Sequence, residues 1–307
     1  MDPNAMAQNV VLSKTPVSRL RDFKVITKMG LSLSVVFSCI AGYLLAAETI
    51  NISRLVFLAI GGYCMVGASN IFNQIIERDL DALMERTKNR PIPKGRISVK
   101  NAFILATILT IIGLIILYAI NPITAMFAAI SIFIYTSVYT PLKQKTALSV
   151  LAGAIPGAIP FMLGWVACTG HFGLEAGVLF MMQFFWQFPH FWSIAWLLDK
   201  DYKKAGFKML PTGAKDRGTV LQIIGYICWT ILICLAPLSD FTGGLKLSIY
   251  AAIPVIIVGP VFLYYGFKLF KNKSENAAKK LMAVSIIYLM SMQIIYVIDK
   301  FIRKLWI

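Results

Sequence analysis

Residues 101–140 read NAFILATILTIIGLIILYAINPITAMFAAISIFIYTSVYT, a stretch without a single Lys, Arg, Asp, Glu or His. It contains two apolar runs, 101–119 and 122–140, each long enough to cross the hydrocarbon core of a bilayer as an α-helix. Strands do not fit, because open sheet edges would leave backbone amides unpaired in lipid and barrel strands would alternate polar with apolar residues. This stretch therefore predicts an α-helical membrane protein.

The rest of the chain has the same character. Of its 307 residues, 58% are hydrophobic and only 14% are charged, whereas ordinary soluble domains contain about 25% charged residues. We predict an all-α fold, a polytopic membrane bundle of nine transmembrane helices over residues 29–307, preceded by a cytoplasmic N-terminal tail, 1–28. The nine apolar windows are 29–47, 55–76, 101–119, 122–140, 147–168, 174–198, 219–237, 247–267 and 281–299.

The distribution of basic residues predicts the orientation of this bundle. Of the 30 Lys and Arg residues, 25 lie in the N-terminal tail and in the loops after spans 2, 4, 6 and 8. Because cytoplasmic loops carry an excess of Lys and Arg, the N-terminus and the longest loops are expected in the cytoplasm, in a protein of the inner cell membrane. Lys300, Arg303 and Lys304, which follow span 9, disagree with this rule.

The net charge of +16 would suggest nucleic-acid binding in a soluble protein. Here the basic residues sit in short loops between apolar runs, so we interpret them as topology signals and as ligands for anions. The lipid bilayer is an expected partner, and nucleic acid is not.

Half of the acidic residues are concentrated in two loops. The connections 77–100 and 199–218 follow spans 2 and 6, and they are the longest hydrophilic connections between spans. They hold seven of the fourteen acids, which are Glu77, Asp79, Asp81, Glu85, Asp199, Asp201 and Asp216.

The first of these loops begins with a stripe of oxygen-bearing side chains. Within NIFNQIIERDLDALMERTKNRPIPKG, residues 70–95, the spacing of Asn73, Glu77 and Asp81 is i, i+4, i+8, which keeps the three on one face of a helix. Carboxylates that share a face repel one another unless a cation lies between them, and oxygen ligands suit Mg²⁺ bound to a substrate diphosphate. Asp79 points away from this stripe.

Basic residues that follow the stripe suggest an anionic ligand. Arg86, Lys88, Arg90 and Lys94 come within thirteen residues of Asp81, and Arg is well shaped for bidentate contacts with phosphate. The alternative is a solvated loop whose cations set the topology and form local ion pairs. The acids begin at membrane depth, where ionisable groups are costly, and this favours a metal-diphosphate site.

The same residues resemble a known family. The pattern N-x-x-x-[DE]-x-x-x-D followed by R-T-x-x-R-P-x-P resembles the first signature of the intramembrane aromatic prenyltransferase superfamily, and E-R-D-x-D-A-L-M-x-R-T resembles its haem branch. YTPLKQKT (139–146) is similar to the Tyr-x-x-x-Lys segment of the superfamily, and GAIPGAIPFMLGW (153–165) to its fifth helix. WQFPHFW (186–192) and the D-Y-x-x-x-G-x-x-M-L string (201–210) resemble the haem branch specifically.

The resemblance implies a nine-helix bundle around a lipid-open cavity, in which Mg²⁺ carries the diphosphate of an isoprenoid donor. By position, it implies that Asn73, Glu77 and Asp81 hold the metal and the diphosphate. It further implies that Arg86 and Arg90 neutralise the leaving group and that Tyr139 and Lys143 line the donor site. We add Lys94 to this substrate-binding set from its place in the basic run.

The implied reaction transfers a farnesyl group from farnesyl diphosphate to a vinyl group of haem B, and water addition then gives a hydroxyethylfarnesyl product. The implied partners are the two substrates and a haem-modifying or terminal-oxidase assembly protein. One alternative is prenylation of an aromatic acid in quinone synthesis, which the FPHFW string and the absence of D-x-x-x-D from the second loop disfavour. The other is a transporter for an ion or anion.

The second loop and span 6 supply the remaining candidates. Asp199 and Asp201 would diverge by about 200° on a helix, so they converge on one metal only where the helix has ended. Asp201 fits the string of the haem branch, and a solvated helix end is the alternative for Asp199. His190 lies inside span 6, where an ionisable residue is a candidate haem ligand, proton carrier or orienting group. The alternative is a structural histidine bonded to a neighbouring helix.

Overall fold

All regular secondary structure between residues 16 and 305 is helical in the computed structural model, which describes this part of the chain. The first fifteen residues of the predicted tail and residues 306–307 lie outside it. The helices are α1 (Pro16–Ile26), α2 (Met29–Ala46), α3 (Ile52–Ile76), α4 (Arg78–Leu83), α5 (Val99–Ile120), α6 (Pro122–Phe133), α7 (Thr140–Leu142), α8 (Ser149–Thr169), α9 (Leu174–Leu197), α10 (Asp199–Lys204), α11 (Arg217–Leu235), α12 (Ile249–Asn272) and α13 (Glu275–Leu305).

The predicted all-helical membrane fold is confirmed. Eight stretches of the described chain are long and apolar enough to cross a membrane, the fourth being Pro122–Leu142, in which a π-helical segment, Ile134–Tyr139, joins α6 to α7. The predicted span that is not among these eight is the sixth, 174–198, which corresponds to α9; this helix has 24 residues but is less apolar because Gln183, Gln187 and His190 interrupt it. The largest difference in bounds is at span 9, where α13 runs from Glu275 to Leu305.

The basic residues at the end of α13 have structural partners that explain their position. The Lys300 ammonium donates to the Leu44 carbonyl oxygen (3.1 Å), and the Lys304 ammonium donates to the carbonyl oxygen of Glu48. These carbonyls lie at or just beyond the C-terminal end of α2, where a helix leaves acceptors unpaired and favours positive charge. Arg303 pairs with Asp299 over 2.9 Å. Local capping and pairing therefore account for the charges that disagreed with the topology rule.

Two glycines allow α2 and α8 to pack in direct backbone contact. A Cβ atom on Gly42 would lie 2.0 Å from the Phe161 carbonyl oxygen, and one on Gly164 would lie 1.9 Å from the Cys39 carbonyl oxygen. Membrane helices associate closely where small residues meet, because van der Waals contact replaces the hydrophobic driving force that lipid removes. This crossing fixes one wall of the bundle interior.

The backbone of α8 is opened at its two internal prolines, Pro156 and Pro160. Proline lacks an N–H group, so the ladder of helical hydrogen bonds is interrupted around it. Two glutamines on α9 bond to the α8 backbone here: the Gln187 side chain donates to the Gly157 carbonyl oxygen (3.0 Å), and the Gln183 side chain accepts from the Phe161 N–H (3.0 Å). Polar side chains of α9 therefore complete the backbone of α8 inside the bundle.

We expect Gly164→Ala to lower the melting temperature of the detergent-solubilised protein by on the order of 5 °C or more, since the added methyl group forces α2 and α8 apart. Gly225→Ala is the matched control, because Gly225 is also helical and a Cβ atom there meets nothing within 4 Å. Equal melting temperatures for the two variants would show that the α2–α8 contact is not limiting for stability.

Candidate active site

The polar stripe lies where α3 gives way to α4. The single helix predicted by the i, i+4, i+8 spacing is interrupted, because Glu77 adopts φ −92° and ψ 10° between the two helices. The stripe nevertheless survives: the Glu77 N–H donates to the Asn73 carbonyl oxygen (2.9 Å) and the Asp81 N–H donates to the Glu77 carbonyl oxygen (2.7 Å). The three residues therefore still follow one another at one-turn intervals.

Each acid of the stripe is buried against a cation from another segment. Glu77 is 4% exposed, and its Oε1 atom lies 2.6 Å from the Nζ atom of Lys143. Asp81 is 0% exposed, and its Oδ2 atom lies 2.7 Å from an Nη atom of Arg90. A buried charge requires a partner because desolvation is costly. The structure thus brings together Glu77, Asp81, Arg90 and Lys143, all four of them predicted site residues.

One carboxylate oxygen of this cluster has no hydrogen-bond partner among the described residues. The Oδ1 atom of Asp81 is buried and accepts no hydrogen bond from the described residues. Burial raises the pKa of Asp81, although Arg90 opposes the shift. Within residues 16–305 there is no preformed group of three or more His, Cys, Asp or Glu side chains that could hold a metal ion. A divalent cation could therefore draw on two carboxylates at most, and oxygen atoms of a bound diphosphate would supply further ligands.

Lys28 joins the cluster, and the sequence analysis missed it as a site residue. Its ammonium group donates to the Asn73 Oδ1 atom (3.3 Å), and its backbone adopts the left-handed conformation immediately before α2 (φ 48°). The pKa of Lys28 is lowered to about 7, chiefly by the removal of water on burial and in addition by the neighbouring charges of Arg90 and Lys143. In the sequence, this lysine is indistinguishable from the topology-setting cations around it.

The cluster has an excess of positive charge. Arg86 is exposed and lies four residues before Arg90 on the same loop, and its charge also contributes to the lowered pKa of Lys28. Lys94 is exposed, and its side chain makes no hydrogen bond or ion pair with the described residues. Four basic side chains therefore accompany the two carboxylates Glu77 and Asp81, and they are Lys28, Arg86, Arg90 and Lys143. Such a site is electrostatically suited to a polyanion.

The second acidic loop, 199–218, contacts the first, 77–100, through Asp201. Asp199 and Asp201 lie on α10 and have different partners, as their i, i+2 spacing requires. Asp199 pairs with Lys203 (2.9 Å), whereas the Asp201 carboxylate accepts the backbone N–H groups of Glu85 (3.4 Å) and Arg86 (3.3 Å). In this arrangement Asp201 holds the loop that carries the basic residues.

Tyr139 lies between the charged cluster and the bundle interior. The Lys143 ammonium stands 4.5 Å from the centre of the Tyr139 ring, and that ring lies 5.3 Å from the ring of Tyr135. Both tyrosines belong to the π-helical segment, Ile134–Tyr139. Departures from α-helical geometry of this kind are common at functional sites.

A cavity of about 270 Å³ opens next to the cluster. Asn70, one turn before Asn73, and Tyr139 line the end of the cavity that is next to the cluster. Its walls come from α2, α3, the α6–α7 segment, α8, α9 and α13, and they are mostly apolar. The charged cluster thus adjoins a space that is suited to an apolar chain.

His190 also lines this cavity. Its Nδ1 atom lies 2.8 Å from the Ser285 hydroxyl oxygen on α13, and its ring stacks on Trp186 with the ring centres 4.6 Å apart. No hydrogen bond joins its Nε2 atom to the described residues. The Trp186 N–H donates to the Ser285 carbonyl oxygen (2.6 Å), so one residue orients both rings. Ser285 was not a sequence candidate, because nothing in the sequence links α13 to α9.

Comparison with known proteins identifies the family to which this chain belongs. The sequence profile of the UbiA prenyltransferase family matches residues 35–292. The chain belongs to the UbiA prenyltransferase family. This confirms the predicted membership of a membrane prenyltransferase superfamily, and it fits a charged cluster next to an apolar cavity.

Relatives of this UbiA-family protein include a "Protoheme IX farnesyltransferase" of Christiangramia forsetii, which is 60% identical over 97% of this chain and 99% of its own. Among solved structures, a digeranylgeranylglyceryl phosphate synthase has a TM-score of 0.75 at 18% identity, over 92% of this chain and 98% of its own. A UbiA homologue from Archaeoglobus fulgidus bound to GPP and Mg²⁺ has a TM-score of 0.61 at 14% identity, over 90% and 99%. These two structures establish the fold.

Removing Lys143 should destabilise this UbiA-family protein. In the Lys143→Met variant the Glu77 carboxylate stays buried without its cation, so we expect the free energy of unfolding in detergent to fall by about 3 kcal/mol or more. Adding Glu77→Gln should recover much of the loss. The control is Lys88→Met, which breaks an exposed pair with Glu85 and should leave stability unchanged. Equal losses of unfolding free energy in Lys143→Met and Lys88→Met would contradict the conclusion that burial makes the Glu77–Lys143 pair important for stability.

Proposed function

We propose that this protein transfers a farnesyl group from farnesyl diphosphate to a vinyl group of haem B. The observation that carries the proposal is the position of a buried, electropositive cluster directly at the polar end of an apolar cavity. The electropositive cluster suits the diphosphate of an isoprenoid diphosphate, and the apolar cavity suits its hydrocarbon chain. The relative from Christiangramia forsetii, named for farnesyl transfer to protohaem IX, supports this choice of donor and acceptor.

The charged residues would act on the leaving diphosphate. Negative charge accumulates on its oxygens as the bond to the first isoprenoid carbon breaks, and preorganised cations stabilise that charge most effectively in a water-poor site. Lys28, Arg90 and Lys143 are held in place by Asn73, Asp81 and Glu77 respectively. Arg86 would close over the diphosphate from the loop that Asp201 holds.

Glu77 and Asp81, assisted by Asn73, would hold the divalent cation, and the unpartnered Asp81 oxygen fits this role. Mg²⁺ bound there would offset charge on the departing diphosphate. The Archaeoglobus fulgidus homologue bound to GPP and Mg²⁺ supports the choice of metal. Asp201 and Asp199 complete the predicted metal set, although their present partners are the backbone of the first loop and Lys203.

The cavity walls would protect the reacting carbons. Tyr139 and Tyr135 line the cavity near its diphosphate end, where their aromatic rings would stabilise an allylic cation. The lining surface of the cavity is mostly apolar, and such a surface would keep water from the cation until the vinyl carbon attacks it. His190 is fixed by Ser285 and faces the same space, and we assign it to the acceptor, as a ligand or proton carrier.

The protein would work as a multi-pass protein of the inner membrane, with its N-terminus in the cytoplasm. The concentration of Lys and Arg in the tail and in alternate loops supports this orientation. The diphosphate site then faces the cytoplasm. Because the farnesyl tail makes the haem product lipophilic, we expect its transfer to a haem-modifying or terminal-oxidase assembly partner to occur within the bilayer.

Membranes that contain this protein should convert haem B to a farnesylated, hydroxylated haem when farnesyl diphosphate and Mg²⁺ are supplied, as detected by mass analysis of extracted haem. Membranes without the protein are the control. A prenylated hydroxybenzoate formed in a parallel incubation, with haem unchanged, would instead favour quinone synthesis. Ion or anion flux without any diphosphate release would favour the transporter alternative.

Asp81→Asn should reduce turnover by about 100-fold or more, because it removes a charge that holds Arg90 and a candidate metal ligand. Asp79→Asn is the matched control. It is the same change two residues away, on a side chain that is 84% exposed and whose one ion pair within residues 16–305 is with Arg78. Turnover of Asp79→Asn should be close to that of the original protein. Full activity of Asp81→Asn, or full activity under exhaustive chelation, would refute the proposed site.

A further inference from the structure

The end of the cavity far from the diphosphate site is polar. On each of three helices, the lining residue farthest from that site carries a hydroxyl or an amide: Ser38 on α2, Gln183 on α9 and Gln293 on α13. These three residues form the cavity floor. The walls between the diphosphate end and this floor are largely apolar, and they include Val35, Phe37, Val66, Pro160, Trp186 and Leu289.

The cavity floor is a closed hydrogen-bonded cluster. The Gln293 amide donates to the Ser38 hydroxyl (3.0 Å), and the Gln183 amide approaches the same oxygen at 3.5 Å. The Gln183 carbonyl oxygen accepts the Phe161 N–H of α8 (3.0 Å), at the proline-opened part of that helix. The cluster therefore ties together α2, α8, α9 and α13, and all three side chains are at least 96% buried.

The floor lies deep in the bundle. Ser38 follows Lys28 by ten residues, which is about 15 Å of helix, and Gln183 precedes Asp199 by sixteen residues, or about 24 Å. An apolar chain that extends from the diphosphate site along the axis of the bundle meets the cluster at the far end of the cavity. Displacing the cluster would leave buried amides without partners in a membrane interior, which is costly.

We propose that the cavity floor sets the maximum length of the isoprenoid donor; this inference rests on the proposed prenyl transfer. Ser38, Gln183 and Gln293 would act as specificity-determining residues. A chain of three isoprene units ends above them, and a fourth unit has to break their hydrogen bonds. Because the cluster is anchored on four helices, it yields less readily than a flexible apolar side chain would.

A narrow cleft beside the floor offers a competing route for a longer chain. Its volume is about 50 Å³, it shares Val35 and Pro160 with the main cavity, and it continues past Cys39, Met65 and Leu163. The cleft is closed by core side chains rather than by hydrogen bonds. Enlarging it therefore tests whether the floor or the cleft limits the chain.

The test compares kcat/KM for geranylgeranyl diphosphate and farnesyl diphosphate, with haem B as acceptor, in solubilised protein. Gln293→Ala should raise the ratio for the longer donor by at least about tenfold, because it removes both volume and a hydrogen bond. Ser38→Ala removes the oxygen on which both amides converge and should shift the ratio less, in the same direction. Ser34→Ala, the same change one turn nearer the mouth of the cavity, should leave it unchanged.

The two kcat/KM values are measured in one preparation of each variant, so a lower yield of folded protein does not affect their ratio. If Gln293→Ala cannot be purified in folded form, Ser38→Ala alone tests the proposal. An unchanged ratio in both variants overturns the proposal, as does a shift in Leu163→Ala without one in the floor variants. A higher KM for haem with an unchanged donor ratio would show that the floor binds the acceptor, and this also overturns it. Failure of the original protein to farnesylate haem would instead refute the proposed function.

Discussion

The burial of two carboxylates at the junction of α3 and α4 is the constraint on which the rest of the site depends. Glu77 and Asp81 are nearly inaccessible to water, so each requires a cation at close range. Those cations come from different parts of the chain, Lys143 after the fourth span and Arg90 from the long first loop. Pairing therefore fixes the loop and the fourth span against α3, and it leaves one Asp81 oxygen and an excess of positive charge for a ligand.

A second constraint is that the bundle must keep an internal space without losing its backbone hydrogen bonds. Glycines draw α2 and α8 together, while prolines open α8 on the side that faces α9. Gln183 and Gln187 supply hydrogen bonds to the opened backbone, and Gln183 also belongs to the cavity floor. The same side chains that stabilise the irregular helix thus shape the cavity, so changes there are expected to affect stability and selectivity together.

The two acidic loops have unequal parts in this arrangement. The first provides carboxylates and cations that converge on one point, whereas the second provides Asp201, which accepts backbone N–H groups of the first. This asymmetry agrees with the unequal motifs of the two loops. Motion of α10 would be transmitted directly to Arg86 and its neighbours, since the contact is between a carboxylate and the backbone of that loop.

The sequence by itself determined the membrane class, the positions of the nine helical spans and the stripe of Asn73, Glu77 and Asp81. Apolar run length and helical spacing are local properties, and local properties can be read along the chain. Only the tertiary structure decided which partners meet. The pairing of Glu77 with Lys143, the approach of Lys28 to Asn73 and the joining of Ser38 to Gln293 connect residues that are between 45 and 255 positions apart. No local pattern distinguishes a lysine that sets topology from one that enters a site, because that difference arises from packing between distant helices.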